Sequence, residues 1–564
     1  MKLKVVVYRI SNQSKERTSC KLHLYELKDH SGLTVDSHKV VVYCGGEYEF
    51  ELEPGEYGIE CYKGPLYTPV EKKVRVGGED TAVEIGLEQL IDTRSLGLYS
   101  FDAHSHVSRN LQSTSGNLKN ASIIMKGEDF DFFFAGSPYD LETHLLDQNG
   151  QQLQTEQSYR EHFSAILAEV NDGSFILDIG NEIVKCRYGH LFMMNYNQLP
   201  PFSKYYDRSW DPWLFTKVGP EPAYEIAYPY EALAKERGEN SVAVAAHPTS
   251  WWYHNGEFIT NIAASLGFDI LAGAVDAMVI MGYDSDRLPY QRLWYDALNN
   301  GYFLPGVAES DHTFDSTRRK HLKFKTYTYA DEFSIDALCT AVKAGRNMVS
   351  SGPILQLKVN GQLPGTVFSY KENENFRIQV ETFRCYQASL SKIQLIVNGE
   401  IWKEVAVNAN QYELEDQITI NQDSYILAKC YDSAGNAAIT NPVYIRNTPF
   451  ANRDFKCELR VNVTKDGHPA TGSFWLDETG DKTAFSGDIH CRIHPAAAVN
   501  VEVGGTVKTI KLFEMDELQR IFRHLYFGYF NQDNRYATGD VPVACFELAR
   551  IRELLSRAEL QLSF

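Results

Sequence analysis

Residues 99–107 read YSFDAHSHV: an apolar run that closes on two histidines, His104 and His106, one residue apart. On a strand, residues two apart point to the same face, so both imidazoles can reach one ion. The same design recurs downstream. DFFFAG (131–136), SFILDIG (174–180), LFMMNY (191–196), VAVAAHP (242–248), AMVIMGY (277–283) and FLPGVAESDH (303–312) are short apolar runs of strand type. Helical stretches fall between or after them, among them YEALAKERG (230–238), RLWYDALNNG (292–301) and IDALCTAVKAG (335–345). Strand–helix alternation from 97 to 353 predicts an α/β domain with parallel strands, a barrel being the leading arrangement.

Several of these runs finish in metal-binding side chains. His104 and His106 end the first, Glu182 and His190 follow the third, His247 ends VAVAAHP, and Asp311 with His312 ends the last. In βα architectures the C-terminal rim of the strands is where active sites gather. Each residue also has a plain reading: Glu182 as a solvated loop residue, His247-Pro248 as a turn, Asp311 as a helix N-cap. Their joint placement favours a metal centre. Neutral imidazoles with carboxylates suit Zn, Mn or Fe, and such ions lower the pKa of a bound water. We expect His104, His106 and Asp311 at one site and His190 with His247 at the next. Glu182 is expected to bridge them, and Asp311 to hold or deprotonate the attacking water as well. Trp251 and Trp252 either stack on substrate or pack at an interface, and Arg318 either holds an anionic group or is solvated.

Outward from this core, the rhythm changes to period two. Residues 1–96 and 354–447 alternate apolar and polar with Gly and Pro turns, predicting an antiparallel β-sandwich on each side, the second Ig-like. Residues 448–564 begin with strands and end in FELARIRELLSRAEL (546–560), a helix-like pattern, so a mixed β/α module is expected. The chain has 55 Lys+Arg against 74 Asp+Glu, a net −19. With no basic stripe, nucleic acid and anionic membrane are disfavoured as partners. No apolar run reaches the length of a membrane span. The ten cysteines are scattered as single residues in apolar runs, and the first residues show no export signal, so a cytoplasmic location is expected.

The ordered set FDAHSHV, GNE…YGHL (180–191), VAAHP and the stretch from Asp276 to Pro353 resembles the PHP superfamily of metallohydrolases. AMVIMGY, WYDALNNGYFLPGVAESD, Gly345-Arg346 and Ser351-Gly352-Pro353, with LEPGEYGIECYKGPLY (52–67) upstream, are similar to its CehA/McbA-type branch. The resemblance spans roughly 50–400 and implies a distorted βα, PHP/TIM-like barrel flanked by β-sandwich modules. It further implies a multinuclear Zn, Mn or Fe site that hydrolyses an ester, carbamate or phosphoester of a small-molecule or carbohydrate-linked substrate. Many members carry an Asp-His pair after the second strand; here only Asp140 lies nearby, which implies one or two ions rather than three. Many place a final His two residues after Asp, whereas His312 follows Asp311 directly, so whether His312 faces the metals stays open, and it is counted with Trp251, Trp252 and Arg318 among the candidate substrate residues. The competing reading is a catalytically weakened scaffold that binds carbohydrate or protein. Oligomeric state is also open: the sandwiches pair edges between subunits or pack within one.

Overall fold

The computed structural model describes residues 1–11, 14–27, 40–107, 114–137, 156–184, 190–195, 239–248, 251–254, 257–260, 266–271, 273–282, 289–314, 322–453, 456–476, 480–493, 498–511, 552–553 and 557–564. Ahead of the histidine strand, the alternating sequence makes two sheets. Lys2–Ser11 is the spine of one, with Ser14–Arg17 and Glu47–Glu51 antiparallel to it and Thr81–Gln89 parallel. Cys20–Glu26 lies between Val40–Cys44 and Gly55–Tyr62 in the other. Period-two residues Leu3, Val5 and Val7 face Leu22 and Leu24 inside one apolar core, as alternation requires of a half-buried strand.

The sheet carrying residues 98–350 contains, in chain order, β1 (Leu98–His106), β2 (Phe132–Ser137), β3 (Ile176–Val184), β4 (His190–Met194), β5 (Val242–Ala246), β6 (Ala277–Gly282), β7 (Gly306–Glu309), β8 (His312–Thr313), β9 (Lys325–Tyr329) and β10 (Asn347–Ser350). Their spatial order is β7-β6-β5-β4-β3-β2-β1-β9-β10, with β8 beside β1. β1, β2 and β3 run parallel, as do β5, β6 and β7. The uniform parallel repeat expected over 97–353 is broken at two places, however. β4 is antiparallel to both β3 and β5, and β9 is antiparallel to β1. Only five residues, 185–189, separate β3 from β4, too few for the crossover a parallel pair needs, so the two pair antiparallel. The sheet curls so that β7 returns against β1 and β9. Thr326 Oγ1 on β9 fastens it, accepting from Ala308 N at 2.7 Å and facing Ala308 O at 3.3 Å. A curled mixed sheet forms in a β-rich chain, less regular than the strand–helix alternation of the sequence suggested.

Helices are few among the described residues. Ile335–Lys343 is begun by Ser334, whose side chain accepts from Ala337 N, and buries Leu338, Cys339, Ala341 and Val342. The sheet does not end with β10. Ala437–Thr440 pairs antiparallel with it, followed by Ser424–Asp432, Leu390–Val397 and Glu400–Ala409; Val443–Ile445 pairs with Ser424–Asp432 and Val367–Phe368 with Val443–Ile445, so that the described residues make a 16-stranded sheet. A three-stranded sheet of Ile354–Val359, Glu374–Phe383 and Gln411–Ile420 accompanies it. Its inward residues share a single apolar core with the first sandwich and with Tyr327 and Met348 of the central sheet.

In the tail, Cys457–Lys465 pairs antiparallel with Asp488–Ile493 and parallel with Arg557–Ser563. Arg557–Leu560 therefore belongs to a strand, not to the helix expected over 546–560. The alternation of Leu560 and Leu562 onto the core of this sheet outweighs the helical pattern of the preceding residues. Cysteines among the described residues are free thiols, Cys491 half-buried and the others buried. No helix among the described residues is long and apolar enough to cross a membrane.

Candidate metal centre

The C-terminal ends of β1, β3, β5 and β7 converge. On β1, His104 and His106 lie on one face with their Nε2 atoms 3.0 Å apart, as two-residue spacing dictates. Room for His106 comes from Gly136 on β2: a Cβ there would stand 2.6 Å from Ser105 O and 3.2 Å from His106 Nδ1. Glu182 enters from β3, inside the strand and not after it as the sequence suggested. Its Oε1 is 3.3 Å from His104 Nε2 and 3.3 Å from His247 Nε2, while Oε2 is 3.1 Å from His106 Nε2. Asp311 Oδ1 completes the ring, 3.7 Å from His104 Nε2 and 3.6 Å from His106 Nε2. His104, His106, Glu182 and His247 are buried, and the Asp311 side chain keeps 14% exposure. Water thus has a way in at Asp311.

Two of these residues sit in backbone conformations that side chains rarely adopt: His247 has φ +23° and Asp311 φ +46°. Such conformations persist where surrounding contacts enforce them, and they gather at functional sites. Asp311 N donates to His104 O at 2.8 Å and His247 N donates to Glu309 Oε1 at 2.7 Å, which are the contacts that hold them.

Two carboxylates beneath this ring were not foreseen. Asp102 Oδ1 accepts from His104 N at 3.1 Å and Ser310 N at 3.0 Å, and Oδ2 from Ser105 Oγ at 2.8 Å. Glu309, wholly buried, places Oε2 2.8 Å from His104 Nδ1. Both had a signal available: a carboxylate inside an aliphatic strand run (FDAH, VAES) is costly to bury and needs a reason. Burial pushes the Asp102 carboxyl up to about 6, against the hydrogen bonds from His104, Ser105 and Ser310. Burial alone would depress His104, but the charge of Glu182 and the bonds to Glu182 and Glu309 carry it well above the usual imidazole range. His247 is raised likewise, burial being outweighed by Glu182, Glu309 and Asp311.

Four carboxylates against three imidazoles leave a surplus of negative charge in a low-dielectric site, which a cation relieves. One ligand atom from each of His104, His106 and Glu182 lies within 4.8 Å of the others, so these three could hold a metal ion. The donor set, imidazole nitrogen with carboxylate oxygen, fits a transition metal better than Mg or Ca.

Of the other expected site residues, His190 begins β4 and its backbone pairs with Val184 and Ala246, but its side chain lies outside the described residues. His312 is buried beside β1, its N donating to Ser105 Oγ at 3.2 Å and its ring 4.6 Å from that of Phe314. Trp251 and Trp252 lie in a hairpin, paired with Thr260 and Ile259, and their side chains are outside the described residues. Arg318 and Asp140 fall outside them entirely. The structure thus brings together His104, His106, Glu182, His247 and Asp311.

No family model matches this chain, and no curated protein matches it in sequence. Solved structures do align with it. One is a two-domain protein from Bacteroides vulgatus containing a predicted PHP-like metal-dependent phosphoesterase, with 11% identity and a TM-score of 0.31 over 61% of this chain and 95% of that one. Another is a β-glucuronidase from Parabacteroides merdae, 10% identical, TM-score 0.17, over 88% of this chain and 73% of that one. A third is β-glucuronidase 3 from Bacteroides uniformis, 11% identical, TM-score 0.19, with the same coverage. Superpositions this loose carry no functional argument, so the chemistry must come from the cluster itself.

Proposed function

We propose that this protein is a metal-dependent hydrolase of the PHP type, close to the CehA/McbA-type branch, cleaving an ester, carbamate or phosphoester. The observation that carries the reading is the convergence of His104, His106 and Glu182 within 4.8 Å, with His247 and Asp311 completing the ring. His104, His106, Glu182, His247 and Asp311 would hold one or two ions of Zn, Mn or Fe, and His190 is proposed as a further ligand. When bound, the metal supplies a Lewis acid and a water ionised near neutrality.

The chain's own residues do the rest. Glu182 presents one oxygen toward His104 and His247 and the other toward His106, the disposition of a carboxylate that bridges. Asp311, the ring member reached by solvent, takes the proton of the attacking water. The apolar surroundings, Phe192 with its ring 5.0 Å from that of His104 among them, keep bulk water from competing and strengthen each charge interaction. Trp251, Trp252 and Arg318 are proposed to line the substrate side.

The test is metal analysis of protein purified without chelator, followed by assay on p-nitrophenyl esters and phosphoesters with added Mn or Zn. At least about half an equivalent of transition metal and metal-dependent turnover are expected. Failure to contain or rebind metal ends the proposal. Bound glycan that survives metal removal, with no turnover on the panel, would favour the scaffold reading.

A further inference from the structure

Glu309 is a wholly buried charge of the centre, and it does not face the ring. It ends β7 wholly buried, and its two oxygens reach two different strands. Oε2 lies 2.8 Å from His104 Nδ1, the ring nitrogen that points away from Glu182 and His106. Oε1 accepts the backbone N–H of His247 at 2.7 Å, at the residue whose φ is +23°. The space for this carboxylate is built in. Gly282, at the end of the adjacent strand β6, has φ +151°, and a Cβ there would stand 2.3 Å from Glu309 O and 2.9 Å from its Cγ.

We propose that Glu309 is a positioning residue that assembles the centre: it fixes the tautomer of His104 and the backbone of His247 with one acceptor-only group. This inference rests on the metal reading above. A carboxylate has acceptors alone, and here both partners donate. The backbone N–H of His247 cannot do otherwise. With Oε2 also an acceptor, the one proton of the neutral His104 ring that would take a metal stands on Nδ1, and the Nε2 lone pair is left toward the metal position. Hydrogen bonding to the far nitrogen of a metal-binding imidazole both orients the ring and raises its basicity. Donor and acceptor count decides here, not size. Glutamine matches glutamate in shape but has one oxygen for two donors; its NH2 would face either His247 N–H or a protonated Nδ1. His104 would then escape by moving its proton to Nε2, which removes the lone pair the metal needs. Aspartate is shorter by a methylene yet keeps two acceptors.

The experiment compares Zn2+ affinity of the wild type, Glu309→Gln and Glu309→Asp by competition with a chromophoric chelator, with thermal unfolding of the metal-free proteins alongside. Wild type is measured first. If it takes up no Zn2+, the metal reading falls and takes this inference with it. If it binds, Glu309→Gln is expected to lose about ten- to a hundredfold in affinity, with Glu309→Asp retaining more than Glu309→Gln. Equal affinity in wild type and Glu309→Gln overturns the Glu309 role while leaving the metal reading intact. So does an order in which the isosteric Gln outperforms Asp, because the site would then respond to volume alone. A second measurement needs no variant at 309: in Zn2+-loaded protein labelled with 15N-histidine, one metal-bound ring is expected to carry an exchange-protected proton on Nδ1 at His104. Its proton on Nε2 would overturn the proposal even if Glu309→Gln does not fold.

Discussion

Strand β1 carries buried charge at both ends, and the two ends are built differently. At Ser100, the carboxylate of Asp131 accepts from Ser100 N at 2.7 Å, Ser100 Oγ at 3.0 Å and Arg94 Nε at 2.7 Å. Beside it Lys63 Nζ lies 3.7 Å from Asp129, and Lys325 Nζ donates to the carbonyls of Glu128 and Asp129 at 2.6 and 2.8 Å. Here carboxylates meet permanent cations, and carbonyls at the end of the Thr114–Gly127 helix meet a lysine. At His104 and His106, carboxylates meet imidazoles, whose nitrogens can carry either a proton or a metal. Buried charge by itself therefore does not mark a functional site. The kind of partner does: a guanidinium closes the account, whereas an imidazole leaves a position that an ion can take.

The sharpest way to break this comparison is to cut each end in turn. His104→Ala and Glu182→Ala are expected to abolish turnover on whichever ester or phosphoester the wild type cleaves, and to lower bound metal measured by elemental analysis. Loss of a ligand that also orients its neighbours removes most of the catalytic effect, about a thousandfold or more. Full activity in either variant would place the centre elsewhere.

At the other end, Asp131→Ala is expected to act on stability and to spare metal content. It leaves Arg94, Ser100 N and Ser100 Oγ without their shared acceptor; Arg94 is a third exposed and keeps the carbonyls of Gly173 and Ser174, so the cost is about 1–3 kcal/mol, mostly from the buried Ser100 N–H. Urea unfolding measures the loss and elemental analysis the metal. A variant as stable as the wild type, or one depleted of metal, would show that the two ends are not separate in role.

How far the sequence foretold this contrast depends on what kind of information each end uses. The apolar runs located β1 to β7, because a strand interior buried on both faces has to be aliphatic or aromatic over its length. His104, His106, His247 and Asp311 were legible because they end such runs, and two-residue spacing put the first pair on one face. Strand direction was legible only once the strand bounds are known: the apolar runs SFILDIG and LFMMNY leave 181–190 between them, whereas the strands themselves leave only 185–189, too short for the crossover a parallel pair needs. Glu309 and Asp102 were missed for a related reason. Each stands inside an aliphatic run, but what surrounds it there is settled only when β1, β6 and β7 come together. The same limit hid the partnership of Lys325 with Asp129, which are joined only by folding.

Lys325 offers a finer test of that balanced end. Burial pulls its pKa from 10.5 down to about 8, against the charges of Asp129, Glu128 and Asp131. Below pH 8 folded and unfolded chains both carry the proton, and the folded state bears the whole cost. As pH rises from 8 to 10.5 the folded lysine loses its proton first, so the unfolded state binds more protons and wild-type stability rises. The gain is about 3 kcal/mol at most across that window. Lys325→Met removes it. The difference between wild type and Lys325→Met in urea unfolding should therefore shift in favour of the wild type as pH goes from 8 to 10.5, with other titrating groups cancelling. A pH-independent difference would mean that this lysine keeps an ordinary affinity for its proton in the fold.

The last test separates burial from pairing, since the balanced end has both. Lys119 and Glu169 join the helices Thr114–Gly127 and Glu156–Val170 through an ion pair of 2.6 Å, shorter than the 3.7 Å between Lys63 and Asp129. Their side chains, however, are 45% and 59% exposed. In solvent the attraction is screened and both long side chains lose rotamer freedom on pairing, so the net contribution falls below about 0.5 kcal/mol. Lys119→Ala is expected to move the urea midpoint by no more than that, and less still at high salt. If it instead destabilised as much as Asp131→Ala, closeness of opposite charges would be the governing quantity, and the burial that distinguishes both ends of β1 from the surface would lose its explanatory role. A small effect leaves burial as the common condition of the two ends, and the identity of the cationic partner as what divides them.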